Sequence, residues 1–93
     1  MVVAILRVSL SIPQANSLKD KRRVIKSLKD KLRNGFNVSV AEIGDQDIWR
    51  SAVLGVAVIS EDATYANGVL SRVQDLIQNR SEAIMTNCEF EWR

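Results

Sequence analysis

Five stretches of this chain place their hydrophobic residues at one of two spacings, a sixth is apolar almost throughout, and the order of these segments leaves few folds open. Residues 2–12 alternate: Ala4, Leu6, Val8, Leu10 and Ile12 share one side, and Val3, Ile5, Arg7, Ser9 and Ser11 the other. That is the period-two pattern of a strand with one covered face, closed by Pro13. A helical period follows. Ser17 offers an N-cap oxygen, Asp20 completes a capping-box-like pair, and Leu18, Ile25, Leu28 and Leu32 fall on one stripe with Val24 at its edge. Asn34-Gly35 is expected to end this helix, with Gly35 in the left-handed conformation. Phe36, Val38 and Val40 then alternate over 36–43, and Gly44 to Asp47 reads as a loop. Ala52 to Ile59 is almost continuously apolar, as expected of a central strand covered on both sides. Ser60 or Asp62 caps a second helix, where Ala63, Ala66, Val69, Leu70, Val73, Leu76 and Ile77 recur at helical spacing and Gly68 falls on the solvent side. The last strand, over 83–92, sets Ile84, Cys88, Phe90 and Trp92 against Met85, Asn87, Glu89 and Glu91.

The order is β-α-β-β-α-β, without linker, repeat or low-complexity tract. Right-handed crossovers put both helices on one face of a four-stranded sheet, so we expect an α+β, ferredoxin-like sandwich made by residues 1–93 as a single domain. Strands one and three are expected parallel at its centre, with two and four at the edges. A 93-residue chain has a modest core, so every element must contribute an apolar face to it.

The net charge of +2 conceals a strong asymmetry. Ser17 to Arg33 holds eight of the thirteen basic residues and two acidic ones, a local charge of +6; the remaining residues sum to −4. On the helical wheel Lys19, Arg22, Arg23, Lys26, Lys29 and Arg33 occupy an arc of about 120° opposite the leucine stripe, interrupted by Asp30. A solvated outer face is the ordinary meaning of such a run. Two costs argue for more. Like charges four residues apart oppose the helix by about 0.2–0.5 kcal/mol a pair, and cations in the first turns oppose the helix dipole. The arc therefore points to an anionic partner: RNA phosphates in the first reading, an acidic protein surface in the second. Lys21 stands apart, in the middle of the apolar stripe. It either snorkels past the sheet edge or serves as a cleft lysine.

Several chemistries have little footing. The chain has no histidine, so it lacks the commonest general base and metal ligand. Its four glycines, at 35, 44, 55 and 68, form no phosphate loop, and no carboxylates are spaced as a catalytic pair. A lone Cys88 can make no internal disulfide, which fits a reducing cytoplasm. The apolar run Val2 to Leu6 is too short to span a bilayer and lacks a basic segment before it. We expect no catalytic residues, no cofactor and no membrane partner. An enzyme or small-molecule sensor using Lys21 or the Asp45–Asp47 loop trails both binding readings.

Around that loop, Glu42, Asp45, Gln46 and Asp47 could attract a hard cation, but turn formation accounts for them better and no metal is expected. Trp49 is expected to close the end of the core, with Phe90 and Trp92 also inside it. Recognition of RNA by stacking on the sheet is disfavoured, because the first and third strands carry no aromatic residue. The face away from the helices still receives Val3 and Ile5, with either Val53 and Ile59 or Leu54 and Val56. An open face should be polar, so this one is expected to be an interface, in the first instance of a homodimer through Val3 and Ile5. A monomer whose open face holds another partner or a ligand is the competing expectation.

Three stretches together carry a family resemblance: Ser17 to Arg23 (SLKDKRR), Phe36 to Glu42 (FNVSVAE), and Gln46-Asp47 with Trp49, Ala52 and Leu54 to Ala57. Their order and spacing resemble those of the YlxP-like family of small bacterial proteins, over essentially the whole chain. The resemblance implies a ferredoxin-like fold and a bacterial cytoplasmic protein. Members' genes often neighbour those of transcription, translation and ribosome-maturation factors, which implies an association with RNA or the ribosome. It supplies no catalytic residues.

Overall fold

The computed structural model describes residues 1–93. It has strands β1 (Val2–Ser11), β2 (Ser39–Gly44), β3 (Ser51–Ser60) and β4 (Ile84–Trp92), with helices α1 (Leu18–Gly35) and α2 (Ala63–Arg80) in the order β-α-β-β-α-β. The sheet runs β2-β3-β1-β4. Every neighbouring pair is antiparallel. β1 and β3 are therefore adjacent and central, as expected, but opposed rather than parallel. The reason is connectivity. A crossover through α1 returns β2 in the direction of β1, and the β2–β3 hairpin then reverses the chain, so β3 must oppose β1.

Both helices cover the face bearing Ala4, Leu6, Val8 and Leu10 of β1 and Ala52, Leu54, Val56 and Val58 of β3, all buried. Val24, Ile25, Leu28 and Leu32 of α1 meet Val69, Leu70, Val73 and Ile77 of α2 in the same core. β3 is central but covered on one side only: Val53, Gly55, Ala57 and Ile59 line the open face with Val3 and Ile5. Its continuous apolar character thus marks a second, uncovered surface.

The caps follow their sequence signals. Ser17 Oγ accepts from the Asp20 amide at 3.0 Å, and the Asp20 carboxylate accepts from the Asn16 amide at 3.0 Å. Asp62, rather than Ser60, caps α2 by accepting from the Thr64 amide. Gly35 departs from expectation. No glycine has positive φ; Phe36 ends α1 in an extended conformation, its amide donating to the Leu32 carbonyl. In β4 the register shifts, with Ser9 opposite Asn87 but Leu10 opposite Met85. Thr86 is the extra residue, its hydroxyl donating to the Ser9 carbonyl at 3.1 Å. The bulge reverses the parity ahead of it, so Met85 packs against the core and Ile84 is exposed.

Candidate functional site

The outer face of α1 follows from which side of that helix the core takes. With Val24, Ile25, Leu28 and Leu32 committed inward, Lys19, Arg22, Arg23, Lys26 and Arg33 are left exposed and Lys29 half-exposed. Their surroundings then divide them. Lys26 pairs with Asp30 at 2.9 Å, one turn on. That hydrogen bond holds the Asp30 carboxyl below its ordinary range, helped by the fields of Lys26, Arg33 and Lys29. Arg33 donates to the Val40 carbonyl at 2.8 Å and so braces the start of β2. Arg23 lies 4.0 Å from Glu82, both side chains well exposed, a pair of little energetic weight. Lys19, Arg22 and Lys29 form no ion pair and no side-chain hydrogen bond within the chain. The six residues read as one arc are thus three unpaired cations, two weakly engaged ones and one structural brace.

Lys31, outside the arc, donates to the Arg80 carbonyl at 3.0 Å and ties α1 to the end of α2. A small polar cleft of about 180 Å³ opens beside it between Arg23, Ser27, Ser81 and Glu82.

Lys21 does not snorkel. It is 1% exposed, pairs with Glu42 Oε2 at 2.9 Å, and donates to the Asp45 carbonyl. The ammonium sits within ion-pair distance of Glu42 Oε2 but off the line of a good hydrogen bond, leaving that buried oxygen without a donor. This is a structural ion pair at the root of the β2–β3 loop. It also takes Glu42 out of any acidic cluster. Asp45, at φ 59°, accepts the Ser51 hydroxyl at 2.6 Å. No three His, Cys, Asp or Glu side chains gather as a metal ion needs.

Trp49 corrects another expectation. It is 50% exposed and Ile48 beside it 51%, so the loop tip projects instead of closing the core. Phe90 and Trp92 stand on the core side of β4, opposite Leu6 and Ala4, yet are 38% and 48% exposed. Cys88 is half-buried, and burial with the Glu89 charge pushes its thiol pKa up, away from a reactive thiolate.

The open face carries Val3, Ile5, Ala41, Ile43, Val53, Ala57 and Ile59, with Arg7, Glu89 and Glu91 toward β4. It holds two shallow depressions, of about 270 Å³ around Ile5, Ala41, Ile43 and Gly55 and about 260 Å³ around Val3, Val38 and Ile59. At Gly55 a Cβ would lie 3.3 Å from the Ile43 side chain, which packs closely over this glycine. No helix is long and apolar enough to cross a membrane.

Comparison with known proteins agrees with this architecture. Two solved designs superpose with a TM-score of 0.50 each. One is the de novo designed protein Foldit4, at 19% identity over 99% of this chain and 92% of its own. The other is the de novo designed protein LFR1 1 with ferredoxin fold, at 13% identity over 100% of this chain and 84% of its own. Among natural proteins, the uncharacterized protein YlxP of Bacillus subtilis (strain 168) is 38% identical over 81 residues, 87% of this chain and 88% of that protein. Residues 3–90 match the family model described as protein of unknown function (DUF503), and with that relative they place the chain in the DUF503, or YlxP-like, family.

Proposed function

We propose that this is a non-enzymatic cytoplasmic protein that binds RNA, at the ribosome or on its RNA, through phosphate contacts from the outer face of α1, and that it does so as a homodimer. The observation that carries the reading is the set of three cations, Lys19, Arg22 and Lys29, left without counter-ions along one helix face, with Arg23 and Lys26 beside them. A face shaped only for solubility would pair its charges along the helix, as Lys26 and Asp30 do. Contacts from lysine and arginine to phosphate give affinity with little sequence preference and strong salt dependence. The non-enzymatic part is supported by the lack of histidine, the high thiol pKa of Cys88, and the structural engagement of Lys21, Glu42 and Asp45.

The test is capture from bacterial lysate with and without RNase, comparing the wild type with Arg22→Glu/Lys26→Glu. Ribosomal particles or RNA should be recovered with the wild type, fall away with added salt, and be lost with the double variant. Recovery that survives RNase but is lost on charge reversal assigns the helix to an acidic protein surface. Identical recovery by both proteins ends the claim that the helix is a binding face.

A further inference from the structure

The open sheet face has no aromatic side chain, so bases cannot stack there. The exposed aromatics are elsewhere: Trp49 in the β2–β3 loop, Tyr65 on the first turn of α2, and Phe90 and Trp92 on β4. Trp49 is distinguished by how it is held. Ahead of it, the Asp45 carbonyl accepts from Lys21 Nζ of α1 and from the Ile48 amide at 3.1 Å, and the Asp45 carboxylate accepts from Ser51. Behind it, Arg50 Nε donates to the Ala15 carbonyl at 2.9 Å, its Nη2 reaches Asn16 Oδ1 at 3.4 Å, and its carbonyl accepts from the Ile12 amide at 2.9 Å. Both roots of the loop are thus fastened to the first turns of α1 or the residues leading into them. What these ties hold in place is a half-exposed indole.

The same turns of α1 carry Lys19 and Arg22, exposed and unpaired. The loop itself carries Asp45 and Asp47 against Arg50, a formal charge of −1, so phosphate contacts fall to α1 and not to the loop. We infer that Trp49 is a stacking platform for an unpaired base, and that the ligand class is single-stranded RNA whose phosphates Lys19 and Arg22 hold. This rests on the RNA reading above and narrows it. Proteins that take single strands combine a cationic track with an aromatic face, and the stacking is tolerant of base identity because every base offers a π-face. A duplex keeps its base faces buried in its own stack and offers the indole nothing. The rigidity of the loop matters: a platform fixed beforehand binds without paying to order itself.

Fluorescence separates the outcomes. In a Trp92→Phe background Trp49 is the sole tryptophan, and titration with a twelve-nucleotide single-stranded RNA should quench it, while a fully paired, loop-free duplex of equal phosphate number should not. Trp49→Ala should weaken the single strand by roughly tenfold and leave the duplex unchanged, whereas Trp49→Phe keeps most of the affinity. Trp49 is half-exposed, so circular dichroism of the alanine variant should match the wild type; the phenylalanine variant serves as the folded control if it does not. Equal single-strand affinity in the wild type and Trp49→Ala, with the salt dependence intact, overturns the stacking inference and leaves the phosphate reading standing. Loss of a captured protein instead of RNA on Trp49→Ala also overturns it. Failure of the wild type to bind either RNA overturns both readings.

Discussion

At the scale of single residues, Lys21 is the clearest case of a side chain whose role lies in its partner. Its place in the apolar stripe of α1 is visible in the sequence; its pairing with Glu42 is not, because Glu42 lies on another element and only the fold brings the two together. Desolvating two charges is costly, and the pair offsets this through mutual attraction and the added bond to the Asp45 carbonyl. Removing one partner leaves the other buried alone. Lys21→Met should therefore destabilise the protein by about 3 kcal/mol, the low end for a broken buried pair, since the Glu42 side chain keeps some contact with water. Lys21→Met/Glu42→Leu should recover most of that loss. Urea denaturation of the two variants measures both; a double variant as unstable as the single one would show that shape, not charge, sets the cost.

Among the elements, those with local causes were legible and those set by neighbours were not. The strands, both helices and the Ser17 cap follow from spacing and capping chemistry inside one segment, but the left-handed Gly35 cap does not form, and β2 starts at Ser39 and not at Phe36, which caps α1. The Thr86 bulge does not, because it depends on β1 across the ladder, and the parity of Ile84 and Met85 goes with it. Strand direction failed for a related reason: it is a property of the connections, and antiparallel β1 and β3 follow once the β2–β3 hairpin is counted. Within the candidate site, the basic arc was legible as composition, but the diversion of Arg33 to Val40 and the exposure of Trp49 needed the packed loop. The Ser17 cap offers a direct check. Lys19 and Arg22 oppose the positive end of α1, and the Ser17 cap together with Asp20 offsets them in the first turn. Ser17→Ala should cost about 1 kcal/mol and speed amide exchange at the start of α1. Unchanged exchange there would mean that the loop ties alone fix the turn.

At the scale of the whole molecule, the sheet separates two surfaces of opposite character, a cationic helical layer and an apolar open face. The Arg7 side chain lies in that face, exposed, without an ion pair or side-chain hydrogen bond in its own chain although Glu89 is its partner in register. Glu89 instead accepts from Asn87 Nδ2, and Glu91 from Arg93. A face that joins an apolar half to a strip bearing both signs is self-complementary under two-fold stacking. In the proposed dimer, a two-fold axis crossing the strands near Arg7 would lay the β2–β3 sides over their counterparts and bring Arg7 of each copy diagonally across from Glu89 of the other. An exclusively acidic or basic partner would leave half of that strip opposed by like charge. That proposed dimer would keep both α1 helices outward, so that two cationic faces could engage one long RNA with the gain of linked sites. Light scattering across a dilution series should report a dimer at high micromolar concentration, Ile5→Lys should release folded monomer, and Arg7→Glu should weaken the pair by roughly tenfold, as a reversed interfacial charge does. Arg7→Glu/Glu89→Arg should restore it, since the exchange preserves each cross-copy contact. A wild type that stays monomeric throughout the series would remove the dimer, and would leave the apolar face to a partner of different chemistry.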